Sequence, residues 1–210
     1  MLTNRSIWQD KPGVPGLIRE SPIPSQLEDR KLLIRDVAGI VEAAGSTAAS
    51  KFEVGDQVFG FTINHVFQDY VTLDYTLTAK IPDSLSFCEV SVFPLCITTA
   101  SVSLFGKNFL SLPFLILEPT SNGKLILVWG GSSAVGSNGI QLAKADGVDM
   151  FKETLPATFG EFLTEALTKG LYTIAPMPEV MLAKGLEGIQ EALNILKKGV
   201  SAKKLVVEST

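Results

Sequence analysis

Apolar positions come in short runs broken by Gly and Pro along the first ~80 residues, and in longer runs with helical spacing beyond them. Pro12, Pro15, Pro22 and Pro24 interrupt residues 1–35. Each fixes φ and removes an amide donor, so the segment suits short strands and turns rather than helix. "VAGIVEAAG" (37–45) places apolar side chains at 37, 38, 40 and 41 and ends in Gly45, which predicts a strand. In "KFEVGDQVFGF" (51–61), Gly55 and Asp56 stand between Val54 and Val58, the mark of a tight turn within antiparallel structure. "DYVTLD" (69–74) reads as another strand. Such spacing predicts a small β-rich barrel or sandwich.

The character changes near Ser86. Pro82 and Ser84 lead into a charge-poor helix expected from about Phe87 to Phe105, followed by a loop through Pro113 and Pro119. Residues 125–128, "LILV", form an unbroken apolar run, as expected of a strand buried on both faces. Gly130 and Gly131 then permit a sharp turn into a helix with Val135, Gly139, Leu142 and Ala143 on one face. Gly139 is expected to let that helix approach a sheet closely. Near the end, Leu186, Ile189, Leu193 and Leu196 recur at helical steps, Gly199 can cap the helix, and "KKLVVE" closes as a strand. The fold class is α/β (α+β overall).

Length and composition narrow the picture. The 210 residues allow one large domain or two small ones, and 46% hydrophobic content is enough for a packed core. A net charge of −4 with no basic stripe argues against a nucleic-acid partner. Lys197, Lys198, Lys203 and Lys204 read as a solvated helix end and strand start. Cys88 and Cys96 make no disulfide framework, and the N-terminus carries Arg5, Asp10 and Lys11 without an apolar leader core. The charge-free run 90–106 contains Pro94 and many Ser and Thr, and falls short of the ~18 consecutive apolar residues of a membrane span. A buried helix between domains is the better reading. The expectation is a cytoplasmic protein that does not act at a membrane.

The chemistry concentrates in the Gly/Ser turn. A helix entered from such a turn points unsatisfied N–H groups and the positive end of its dipole at whatever occupies the turn, so a pyrophosphate gains both. Gly131-Ser132-Ser133-Ala134-Val135-Gly136 supplies G-x-S-x-x-G against the dinucleotide pattern G-x-G-x-x-G. Ser133 replaces the middle glycine, and its hydroxyl can donate to a phosphate oxygen instead. Asp149 and Lys152 fall where a ribose or 2′-phosphate contact is expected, although an ordinary surface charge explains them as well. Zinc needs a cluster of ligands, and Cys88, Cys96 and His65 match no site spacing, so no metal is expected. His65 is the only histidine and no G-x-S-x-G is present, which leaves no basis for a Ser-His-Asp triad. Tyr70, Tyr75 and Tyr172 are candidate proton donors that the sequence does not separate, so the catalytic residues stay unassigned.

The segments "LVWGGSSAVGSNGIQLAKADG", "VAGIVEAAGSTAASKFEVGDQVFGF" and "LTAKIPDSLSFCEVSVFPLCITTASVSLFG" together resemble the medium-chain dehydrogenase/reductase superfamily. The likeness is to its zinc-free, NADPH-dependent enoyl-reductase and quinone-reductase-like members of fungal type. "GLEGIQEALNILKKGVSAKKLVVE" resembles their C-terminal helix and strand. The resemblance implies a GroES-like β domain over 1–100, with 171–210 returning to it, and a truncated Rossmann-like βαβ domain over 101–170. It implies hydride transfer from NADPH to an activated C=C or a quinone in a small-molecule substrate, and leaves a homo-oligomer open. Gly131, Ser132, Ser133, Val135 and Gly136 would hold the pyrophosphate, with Thr99 placed near the nicotinamide. Two departures stand out. "SQLEDRKLLIRDVAGIV" lacks the cleft-lining loop of the family, and after Asp149 most of the wound sheet is missing. The alternative implied by these gaps is a truncated non-catalytic paralogue, or a GroES-like interaction module that has lost its cofactor.

Overall fold

The computed structural model describes residues 3–11, 14–35, 37–63, 66–112, 126–144, 156, 158–200 and 203–208. Strands β1 (Thr3–Trp8) and β2 (Leu17–Pro22) form an antiparallel hairpin. β3 (Lys31–Arg35), β4 (Ala38–Ala44), β5 (Gln57–Gly60), β6 (Tyr70–Asp74) and β7 (Thr78–Lys80) make one antiparallel sheet in the order β6-β3-β4-β5-β7. The expected strands at 37–45 and 69–74 are both present. The described pairings leave β6 and β7 at the edges, so this is an open sheet rather than a closed barrel. The β1–β2 hairpin docks beside β6, with the Ile7 amide donating to the Phe67 carbonyl at 2.9 Å and the Asp69 amide to the Arg5 carbonyl at 2.9 Å.

Alternation explains which face of the sheet is buried. Leu32, Ile34, Val41, Val71 and Leu73 point inward every second residue and close over Phe52 and Ala48. Gly55 turns the chain toward β5 at φ +97°, a conformation that favours glycine. The Asp56 carboxylate completes this turn, accepting from the Glu53 amide at 2.8 Å and pairing with Lys80 at 2.7 Å.

Helices α1 (Phe87–Val90) and α2 (Pro94–Phe105) replace the single helix expected there. Pro94 has no N–H for the Val90 carbonyl and its ring crowds the preceding turn, so the chain restarts with proline at the first helical position. By length and composition alone the span Phe87–Phe105 is apolar enough to cross a membrane. Here Phe93, Ile97, Ala100, Leu104 and Phe105 are packed in a protein core.

Helix α3 (Ala134–Lys144) follows the Gly/Ser turn, and a π-helical turn (Thr158–Phe162) runs into α4 (Leu163–Thr168). β8 (Pro178–Val180), α5 (Gly185–Lys197) and β9 (Lys204–Val206) form a β-α-β unit whose two strands pair in parallel. Gly199, at φ +90°, ends α5 as expected and donates to the Leu196 carbonyl at 3.0 Å. The apolar face of α5 is only partly covered: Leu186 is buried while Leu196 is 50% exposed.

The larger core joins Phe59 and Ala79 of the sheet, and Ile81 just past β7, to α2, Leu142, α4, Tyr172 and Val206. Helix α2 therefore runs through the expected boundary at 100/101 without a break.

Candidate functional site

The strand expected to lead into the glycine turn is absent among the described residues. Residue 125 lies outside them, and 126–128 belong to no strand. Leu127 is 88% exposed and Trp129 is 95% exposed. A strand buried on both faces needs neighbours that pair with its edges and cover its faces. β8 and β9 are the only parallel pair described, and they pair with each other.

The turn and its helix form without that strand. Gly130 takes φ +80°, and its carbonyl accepts from the Ser133 amide at 2.9 Å. The Ser133 hydroxyl caps the helix by accepting from the Gly136 amide at 3.1 Å, and the Ser137 amide donates to the Ser133 carbonyl at 2.8 Å. Gly136 is buried, and a Cβ there would fall far inside contact distance of the Gly130 carbonyl. Only glycine lets the turn close this tightly. The amides of Ala134 and Val135, in the first turn of α3, have no intrahelical acceptor. Ser132, Ser133 and Val135 are exposed beside them, and Gly131 is half-buried. Nothing among the described residues walls the two serines off. The expected apolar face holds at Leu142, which is fully buried, but not at Val135, which is 37% exposed. Gly139 serves no close approach among the described residues, where a Cβ at that position meets nothing within 4 Å.

One turn further along α3 is a feature that sequence reasoning missed. The fully buried Asn138 side chain donates to the Ala134 carbonyl at 2.7 Å and to the Ala175 carbonyl at 3.2 Å. Its amide oxygen accepts from the Tyr172 hydroxyl at 2.8 Å. Gln141 continues the contact, accepting from the Thr173 amide at 2.7 Å and the Thr173 hydroxyl at 3.0 Å. The available signal was an amide residue four positions before Leu142, which puts a polar group on the buried face.

Tyr172 is thereby removed from the candidate proton donors. Its hydroxyl is committed to Asn138, and burial pushes its pKa well above the ordinary tyrosine value. Thr99 lies exposed on α2, which packs against α3, and its hydroxyl donates to the Leu95 carbonyl at 2.9 Å. Its oxygen keeps accepting capacity. On the buried side of the same helix, the Thr98 and Ser101 hydroxyls have no hydrogen-bond partner among the described residues.

The Cys88 thiol is pushed up, first by burial and then by its bond to the Glu208 carboxylate at 3.4 Å, which disfavours a thiolate. Cys96 is buried. No group of three or more His, Cys, Asp and Glu side chains suited to a metal occurs among the described residues. His65, Asp149 and Lys152 lie outside them.

Comparison with known proteins gives the site a context. No family model matches the chain. It is 43% identical over 123 residues to the trans-enoyl reductase himH of Aspergillus japonicus, covering 55% of this chain and 35% of that one. It is 37% identical over 136 residues to the dehydrogenase orf1 of Aspergillus niger, covering 61% and 39%. To the trans-enoyl reductase TOXD of Cochliobolus carbonum it is 36% identical over 132 residues, covering 59% and 43%. The chain thus spans less than half the length of these curated relatives. Among solved structures, the CurF ER cyclopropanase from the curacin A pathway aligns at TM-score 0.69 and 12% identity over 99% of both chains. An alcohol dehydrogenase superfamily protein from Novosphingobium aromaticivorans aligns at TM-score 0.55 and 23% identity, over 70% of this chain and 52% of that one. The fold, with mixed sheets and helices, is that of the medium-chain dehydrogenase/reductase proteins, as the sequence resemblance implied.

Proposed function

We propose that this chain, a shortened relative of the fungal trans-enoyl reductases, is an NADPH-dependent oxidoreductase acting on an activated C=C or a quinone in a small-molecule substrate. The observation that carries the reading is the closed turn from Gly130 to Gly136. It holds two helix-start amides and two serine side chains open to solvent at the positive end of α3. The donor set fits a diphosphate. The amides of Ala134 and Val135 can donate, Ser132 adds a hydroxyl, and Gly131 and Gly136 keep side chains out of the way. Ser133 uses its oxygen as the helix cap, so its proton is left for a phosphate oxygen.

NADPH, when bound, supplies the hydride. What the chain contributes is position. The turn would hold the diphosphate, and the Thr99 oxygen, its proton already given to Leu95, would be free to accept from the nicotinamide side. With Tyr172 spent on Asn138, no side chain is assigned as acid. A cytoplasmic location belongs to the same proposal.

A second reading has its own observation. The exposure of Leu127 and Trp129 is what a fragment of a wound sheet leaves behind, and it favours a non-catalytic chain that no longer holds cofactor. Thermal unfolding in increasing NADPH separates the two. A ligand at 100 times its Kd adds about 2.7 kcal/mol, so the first reading expects a melting temperature that climbs with NADPH. No shift at millimolar NADPH rejects it in favour of the second.

A further inference from the structure

We infer that Asn138 and Tyr172 form a clasp that positions the phosphate-binding turn, doing here what a preceding strand does in a complete β-turn-α unit. The inference rests on the reading of that turn given above. Ordinarily such a helix is set against a sheet by the strand that runs into it, and the turn is held from both sides. Here residues 126–128 are in no strand, and among the described residues the start of α3 is tied down through Asn138.

Three polar contacts meet at Asn138, one helical turn past the phosphate amides. Its Nδ2 ties back to the carbonyl of Ala134, the first residue of α3, and across to the carbonyl of Ala175. Its Oδ1 accepts a hydrogen bond from the Tyr172 hydroxyl. Tyr172 is itself immobilised: its ring meets Phe93 edge-on at 5.7 Å and Phe162 edge-on at 6.2 Å. The clasp therefore links the start of α3 to the start of α2 and to the π-helical turn. Gln141 repeats the docking three residues later, through both the amide and the hydroxyl of Thr173. A buried amide with every group satisfied fixes one orientation, because any rotation leaves a donor or acceptor unpaired. Asn138 and Tyr172 are positioning residues. Neither is assigned a contact with the cofactor.

The test is Tyr172→Phe, which keeps the ring and removes one proton donor, with Gln141→Ala as a milder variant at the solvent-facing side of the clasp. Hydrogen exchange without cofactor is read at the α3 amides, and NADPH affinity is read separately. The control is Phe159→Leu, which loosens the same core where Phe159 packs on Phe59 rather than on Tyr172. Tyr172→Phe is expected to speed exchange through α3 at least tenfold and to weaken NADPH binding about tenfold, with Gln141→Ala moving both in the same direction by less. Phe159→Leu, at equal loss of melting temperature, leaves α3 exchange near that of the parent. Should Tyr172→Phe not fold, the same comparison is made with Gln141→Ala. Unchanged α3 exchange in the clasp variant, or an equal effect from Phe159→Leu, overturns the inference. So does parent-like NADPH affinity in a variant whose α3 exchange has risen. If the parent binds no NADPH while the variant's α3 exchange rises as expected, the clasp stands and the cofactor reading falls.

Discussion

Two glycines three residues apart in α3 have opposite reasons to be there. At Gly136 a side chain would press on the backbone of Gly130, which cannot give without opening the turn. At Gly139 there is room for a methyl group. Gly139→Ala is therefore expected to stabilise the chain by roughly 0.5–1 kcal/mol, the ordinary gain from removing a glycine from a helix interior. Gly136→Ala is expected to lower the melting temperature and to remove any stabilisation by NADPH. Calorimetry on the two variants checks both signs, and a stabilising Gly136→Ala would mean the turn is not closed as described. Glycine spacing revealed the turn, but it is silent on what lies opposite each position. That is why Gly139 reads from sequence as a close-approach residue and is not one here. Thr99 shows the same limit: sequence places it on the helix, while only the structure shows its proton committed to Leu95.

Elements whose signals are local were legible. The strands at 38–44 and 70–74, the Gly55 turn and the Gly199 cap all follow from side chains close in sequence. The start of α1 belongs with them. Ser86 and Glu89 form a reciprocal capping box, in which the Ser86 amide donates to the Glu89 carboxylate at 2.8 Å. That amide, followed by the Ser86 hydroxyl, lowers the Glu89 pKa. A lowered carboxylate pKa stabilises the fold above the unfolded value of ~4.3, and the contribution is lost as pH falls through the folded value. Ser86→Ala should cost about 1 kcal/mol at pH 7. Denaturant unfolding should show the gap between variant and parent narrowing below about pH 4. A gap that is constant from pH 7 to pH 3 would assign the loss to packing instead. The strand expected at 125–128 depends on partners far away in sequence, and an apolar run cannot report whether they are present. The break at Pro94 was written in the sequence, but a charge-poor run on both sides of it made one helix look continuous.

At the scale of the whole molecule, the described residues join a β-rich half to a second core built around α2. Phe93 before α2 and Phe159 of the π-helical turn pack as tilted rings on Phe59 of β5, with ring centres 6.1 Å and 6.2 Å away. Sheet and helices thus share one apolar centre, and α3 joins it through Leu142 and Tyr172. Leu127 and Trp129 face solvent beside the turn. That exposure supplies a reporter. Trp8 and Trp129 are the two tryptophans of the chain, and Trp129 precedes Gly130 directly. In a Trp8→Phe background, Trp129 emission followed through an NADPH titration observes the turn alone. The account predicts quenching that saturates with NADPH and is abolished by Gly136→Ala. Emission that stays constant to millimolar NADPH, in a chain still folded by its melting transition, would contradict it.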